Sequence, residues 1–405
     1  MGVQNPLSIK HWTMNKESSI FYYLFLAALL VFFIRTAMYW YNAMNFGTST
    51  HDFLLYVSLC LVEFIILVFL LLNIRKSYWM RGVHVICLLW LLMSFISLPY
   101  NGSNIQSFVK VIIWPMLFEA TYLFINEDKK RLNDLHIYYY AVLVIGAVVF
   151  LGSILYNGFG GQTNSVYYVI LTAPFLLLAK KNNWRYFILG MVTFVALLSM
   201  KRSMMLAFLL FWMIIAFSYL IRTKRIVEAV FVSFFFIGLG FFAFNFVDDH
   251  SDGYLSSRFE DEDMTNGRER IYEVTLLMIQ SSDIEHIILG HGHNAVRLDS
   301  PLEISAHNEF LEIIYDYGIV VFILYLFFWL YIIRRWLFHI RCRTSFYIPY
   351  TLSICIFAVM AMVSQLILYA SYFLYLVMFW AAVEAVTEND YKEYRRLRRV
   401  RKGYS

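Results

Sequence analysis

Three short groups of residues combine positive charge, a titratable ring and hydrogen-bonding side chains at spacings suited to work on an anionic substrate. The first is Met200-Lys201-Arg202-Ser203, two adjacent cations directly before an apolar run. The second is Asn266-Gly267-Arg268-Glu269-Arg270-Ile271-Tyr272, which opens what reads as a short amphipathic or buried helix continuing through Val274–Ile279. Cations in a first helical turn oppose the helix dipole, which prefers anions there, so a negatively charged ligand is expected to join them. Free N–H groups at a helix start would help to bind a phosphate. Arg268 and Arg270 would stand about 200° apart around the helix axis, so the two should not both face one ligand.

The third group is Ala306-His307-Asn308-Glu309-Phe310-Leu311-Glu312, followed by Tyr315-Asp316-Tyr317-Gly318 and the apolar run Ile319–Ile333. A histidine at a water–membrane boundary can exchange a proton near neutral pH. Glu309, Glu312 and Asp316, at i, i+3 and i+7, would lie near one another on a helix face, where they could tune the histidine, bind sugar hydroxyls or act as a base.

Each group also has a plainer reading. Lys201 and Arg202 can snorkel to lipid phosphates. Arg268 and Arg270 can belong to a solvated helix start paired with nearby carboxylates. His307 can be an interfacial hydrogen-bonding residue. His291-Gly292-His293 with His307 offers a metal-site reading, but an H-x-H pair without an ordered fourth ligand is not diagnostic, and the glycines more simply mark a tight turn. No metal and no cofactor is expected.

The elements that must position these groups are membrane spans. The chain of 405 residues is 60% hydrophobic and only 15% charged, against about 45–50% apolar and about 25% charged in soluble domains. A soluble core could not bury that much apolar surface. Runs of about 20 apolar residues, enough to cross the hydrocarbon layer, recur along nearly the whole chain. Twelve spans are predicted, approximately at 19–42, 52–73, 81–99, 107–125, 136–156, 164–179, 184–199, 203–221, 226–247, 308–333, 346–368 and 371–387. The expected architecture is thus all-α: one polytopic membrane domain over 1–405, with a single long outer loop at 248–306 between spans 9 and 10, itself containing short helices.

Every second connection is basic, as at Arg75–Arg81, Lys129–Arg131, Lys180–Arg185, Arg222–Arg225 and Arg334–Arg343. Positive charge stays on the cytoplasmic side, which puts both termini there and the long loop outside. The first apolar run is long enough to span and lacks a small-residue cleavage site, so no secretory signal peptide is expected. Cys60, Cys87, Cys342 and Cys355 fall in spans or a cytoplasmic connection, which offers neither a disulfide framework nor a thiolate metal cluster.

Eight basic residues depart from the charge pattern: Arg35, Lys110, Lys201, Arg202, Arg258, Arg268, Arg270 and Arg297. A cation on the far side or inside a span is costly unless an anion or a specific partner holds it, so these are candidates for a binding site. Arg35 and Lys110 should lie in the outer halves of their helices, within reach of a lipid headgroup. Glu63 and Glu119, nearer the bilayer centre, are expected to pair internally with these cations or with tyrosine hydroxyls.

Arg202 at a helix entrance, Gly267-Arg268 with Tyr272 four residues on, and Ala306-His307-Asn308-Glu309 followed by Gly318 resemble the O-antigen polymerase and ligase superfamily. The resemblance covers about 164–333 by motif and the whole chain by span count and loop placement. It implies a metal-independent membrane glycosyltransferase of GT-C type, working outside the bacterial cytoplasmic (inner) membrane on an undecaprenyl-diphosphate-linked oligosaccharide. It further implies that Arg202, Arg268 and His307 are catalytic, and it favours the polymerase branch on the His-Asn-Glu-Phe-Leu segment. Arg35, Lys110, Lys201, Arg270, Tyr272, Asn308 and Glu309 are candidate substrate-binding residues, Glu309 being also the alternative base. Candidate partners are the lipid-linked glycan, membrane lipids and a polysaccharide chain-length regulator, with no nucleic acid. A ligase is the neighbouring alternative. A lipid-linked oligosaccharide flippase is the alternative of another class, although the two halves look unlike each other and the charge gathers at one outer site.

Overall fold

The computed structural model describes residues 16–44, 52–76, 82–96, 105–157, 166–178, 182–199, 201–223 and 267–401, with a few separate positions between 238 and 256. Predicted span 226–247 falls almost wholly outside the described residues, as does Arg258. Among the described residues the chain is helical and has no strand. Its helices are α1 (Lys16–Met44), α2 (Asp52–Leu72), α3 (Val83–Ile96), α4 (Ile105–Glu127), α5 (Leu132–Asn157), α6 (Val166–Leu176), α7 (Asn182–Leu198), α8 (Arg202–Thr223), α9 (Arg268–Ser281), α10 (Ile284–Leu289), α11 (Ala295–Asp299), α12 (Glu309–Cys342), α13 (Tyr347–Val363) and α14 (Ala370–Arg401).

Six of these, α1, α2, α4, α5, α8 and α12, contain stretches long and apolar enough to cross a membrane, and four shorter apolar helices accompany them. Large apolar side chains are exposed along them, including Phe53, Phe64, Val144, Val148 and Phe217. Such a surface is stable against lipid tails and not against water. The protein is an all-α polytopic membrane protein.

The apolar centre is α14. From Phe373 to Val383 no side chain is more than 2% exposed, as expected of a helix that is apolar on every face. It packs against α4 and α6, while α13 packs on α8, α6 and α12. Several polar groups inside the bundle are paired: Glu119 with His84, Arg335 with Glu384 at 2.7 Å, and the Tyr139 hydroxyl with the Tyr375 carbonyl at 2.6 Å. Glu119 thus pairs with a histidine and not with Arg35 or Lys110. Glu63 does lie within electrostatic reach of Arg35.

In two predicted spans the helix breaks inside the predicted bounds, and both breaks shape the site. The run predicted at 308–333 is not one straight helix. Gly318, at φ 74°, breaks α12 into a short leading piece, 309–317, and a long piece beyond it. The run predicted at 346–368 ends at Val363. Ser364 and Gln365 are extended or irregular, and a single tight turn, Leu366–Leu368, leads into α14. Polar side chains at the break are what favour it, because Gln365 donates to the buried Ser305 hydroxyl at 2.7 Å.

Candidate active site at the meeting of three helix starts

The cation pair lies where α8 begins. Lys201 precedes the helix, and its carbonyl accepts the first intrahelical bonds, from Met204 at 2.9 Å and Met205 at 3.1 Å. Its ammonium stands 5.0 Å above the ring of Tyr167, near the start of α6. Ser203, in the same turn, lies close to the Tyr167 hydroxyl. The turn that carries Arg202 therefore packs against one tyrosine.

The second helix start is that of α9. Gly267, at φ 72°, supplies a left-handed turn that an L side chain rarely adopts. Arg268, the first helical residue, is half-buried, whereas Glu269 and Arg270 are exposed. Ile271 and Thr275 face inward, and this divides the two arginines as helical periodicity requires. The Tyr272 hydroxyl donates to the Met362 carbonyl at 3.0 Å, tying α9 to the end of α13. Arg268 bears electrostatically on both Tyr167 and His307.

The third is the leading piece of α12. Asn308 caps it, accepting from the N–H groups of Phe310 at 3.0 Å and Leu311 at 3.3 Å. Its amide also reaches the Met362 carbonyl at 3.5 Å, the acceptor used by Tyr272. His307 sits just outside the cap at φ 50°. The Glu312 carboxylate accepts the N–H of Ala306 at 2.7 Å, and the His307 N–H lies against the same group. Partial burial and then the positive charge of Arg268 hold the His307 imidazole below its ordinary pKa. Its neutral form, with a free lone pair, is therefore the one present at neutral pH.

The three acids are fully enclosed in protein, at 0% exposure. Glu309 accepts from the Tyr325 hydroxyl at 2.5 Å and from the Ile367 N–H. Asp316 accepts from Asn294 at 2.7 Å and Val296 at 3.0 Å, capping α11. Glu312 secures the histidine loop. All three satisfy backbone donors of the loop and the helix break, which is how buried carboxylates are normally accommodated.

Gly290 and Gly318 bring this loop against α12. A Cβ on Gly290 would lie 2.2 Å from the Asp316 carbonyl oxygen, and one on Gly318 would lie 2.3 Å from that of Ile288. His291 stacks on Tyr315 with ring centroids 4.0 Å apart. His293 is hydrogen-bonded to the Tyr317 hydroxyl; burial, with Lys110 nearby, pushes its pKa down to about 3. These histidines thus brace the loop. Among the described residues no group of three side chains is arranged to hold a metal ion.

Through Tyr167 and the Met362 carbonyl the structure relates Lys201, Arg268, Tyr272, His307 and Asn308, and Arg202 follows Lys201 in the same turn; all six are half-buried. It does not bring Glu309 to the same open surface. Arg35 lies within the bundle and donates to Ser371 at 2.8 Å, at the start of α14 and next to Tyr372, whose ring meets Tyr167 at 5.4 Å. Lys110 is exposed and bears on His293, while Arg270 and Arg297 are exposed. Sequence reasoning missed Tyr167 and the Met362 carbonyl. A tyrosine at a helix mouth reads only as an interfacial anchor, and a backbone carbonyl carries no signature in residue type.

Residues 186–326, about a third of the chain, match the family model described as O-Antigen ligase. No curated protein matches the chain. The matched stretch holds Arg202, Arg268, His307 and the Gly318 break, and family members are membrane glycosyltransferase-like enzymes of O-antigen biosynthesis. By that match and the all-α membrane fold around it, the stretch from 186 to 326 is similar to the O-antigen ligase family.

Proposed function

We propose that this protein is a surface-polysaccharide polymerase. In this reading it transfers a growing undecaprenyl-diphosphate-linked glycan onto a lipid-linked repeat unit at the outer face of the bacterial inner membrane. The observation that carries it is the position of Arg268, within electrostatic reach of His307 on one side and, on the other, of Tyr167, whose ring faces the Lys201 ammonium.

In the proposed reaction the acceptor hydroxyl oxygen attacks the anomeric carbon of the donor glycan, and the bond from that carbon to the diphosphate oxygen breaks. Its electron pair leaves with undecaprenyl diphosphate. Arg202 and Arg268 stabilise the negative charge that develops there, through charge-assisted and bidentate hydrogen bonds. His307, neutral at the start, takes the proton of the attacking hydroxyl. Arginines can supply this stabilisation without a metal. Asn308 and Tyr272 hold the two helix starts to one carbonyl, which favours a fixed distance between base and cation.

The family's description as O-Antigen ligase favours a second reading, transfer of the finished glycan to the lipid A core. A deletion strain separates the two: surface glycan shortened to a single repeat supports a polymerase, and lipid-linked polymer that never reaches the core supports a ligase. Purified protein supplied with lipid-linked repeats in detergent tests the class. Elongation without a sealed bilayer is expected, and its absence alongside transport in vesicles would instead indicate a flippase.

A further inference from the structure

The segment that carries His307 is gripped on both sides by one corner of the bundle. Two residues before the histidine, the Ser305 hydroxyl accepts from the Gln365 amide at 2.7 Å. Directly after it, the Asn308 amide reaches the Met362 carbonyl at 3.5 Å, and one residue further on the Glu309 carboxylate accepts the Ile367 N–H. All three partners belong to Met362–Ile367, where α13 ends and a tight turn leads into α14. The same Met362 carbonyl takes the Tyr272 hydroxyl of α9 at 3.0 Å. Beyond the turn, Arg35 donates to Ser371 at 2.8 Å, which ties the start of α14 to α1. Of the three bonds that grip the histidine segment, two use the backbone of the corner. Only that of Gln365 uses a side chain, and both Gln365 and Ser305 are buried, out of reach of water that could replace the bond.

We propose that Gln365 is a positioning residue of this site: its amide fixes Ser305 and so sets where the His307 imidazole stands against the reacting hydroxyl. The proposal rests on the reading that His307 is the base. Glu312 holds the Ala306 peptide and Asn308 caps α12, so a displacement at Ser305 reaches the histidine through Ala306 alone. An amide suits the task because it donates to a hydroxyl without bringing a charge into the protein. A glutamate could hold the same hydroxyl only by burying a charge. Gln365 lies outside the matched stretch 186–326, so the histidine within that stretch takes this support from the chain beyond it.

The test uses the full-length protein in detergent, with release of undecaprenyl diphosphate from a lipid-linked glycan as the readout common to polymerase and ligase chemistry. Gln365→Met keeps the length of the side chain and removes the donor. It is expected to lower kcat about tenfold, since small misplacements of a catalytic group are costly, while KM changes less than about twofold. The melting temperature should fall by less than about 3 °C, as for the loss of one hydrogen bond. Ser305→Ala removes the same bond from its other end and should match it. The NMR signal of the labelled His307 imidazole should move in both variants, and that of His286, on α10, should not. Full activity of Gln365→Met, or an unmoved His307 signal, overturns the proposal. So does full activity of Ser305→Ala beside an impaired Gln365→Met, or a loss that comes in both variants with a larger fall in melting temperature. His307→Ala serves as the control. If it is inactive while Gln365→Met is fully active, only the role of Gln365 fails. If it keeps full activity, the reading of His307 as base fails.

Discussion

Glu312 holds the peptide immediately before His307: its carboxylate accepts the Ala306 N–H at 2.7 Å, and His307 then adopts φ 50°. A left-handed backbone at a non-glycine residue is strained and persists only where surrounding bonds enforce it. The carboxylate, fully buried, is the side-chain group that enforces it here. Glu312→Ala should therefore lower transfer activity even though Glu312 has no role in the chemistry. Removing a buried acceptor leaves its N–H unsatisfied, at about 1–3 kcal/mol. Thermal unfolding and transfer rate should fall together, in contrast to variants of His307.

His307→Ala should reduce transfer by about 10²–10⁴-fold, the range lost with a general base, with membrane insertion and melting temperature unchanged. Wild-type polymer made by this variant would remove His307 from the reaction.

The lowered pKa of His307 carries a signed pH dependence. Activity should persist below the ordinary imidazole value of about 6.5, because the base stays unprotonated there. Stability moves the same way: between the ordinary and the depressed value the unfolded chain takes up the proton first, so acidification through that window destabilises the folded state. Since Arg268 contributes to the depression, Arg268→Gln should raise the His307 pKa. NMR titration of the labelled imidazole would measure it, and an unchanged value would separate the two residues.

The cations should not be equal. Arg202→Ala and Arg268→Ala are each expected to cost about 10²–10³-fold in kcat, as loss of a group stabilising developing charge does. Arg270→Ala and Arg297→Ala, at exposed positions, should stay within about twofold of wild type, as changes at surface sites away from the reacting groups do. A matched set of single-turnover rates would decide this, and an inactive Arg270→Ala would show that α9 presents the other face to the ligand.

Gly290→Ala and Gly318→Ala should each lower the melting temperature and the yield of folded protein. In both cases a Cβ would meet backbone of the other segment within 2.3 Å. Backbone cannot rotate aside as a flexible side chain can, and both glycines have positive φ, so the strain is doubled. Normal melting of either variant would mean that the loop and α12 are not interlocked.

The amino-acid sequence by itself determined the membrane class, most of the helices and which residue types stand at the mouth of the bundle. Apolar run length and the spacing of charge are local properties, so Arg202, Arg268 and His307 could be singled out without knowing what they face. Their separation from Arg270 was likewise set by helical period. Only the tertiary structure decided the rest. Glu309, Glu312 and Asp316 share a helix face as their spacing requires, yet backbone N–H groups from Ala306, Asn294, Val296 and Ile367 occupy them. No property of the acids themselves reveals those partners. The break at Gly318 depends on Gly290, and the break after Val363 on Ser305 sixty residues away. Contacts of that sequence separation exist only once the chain has closed on itself, which is why the cations were legible in the sequence and the partners of the buried acids were not.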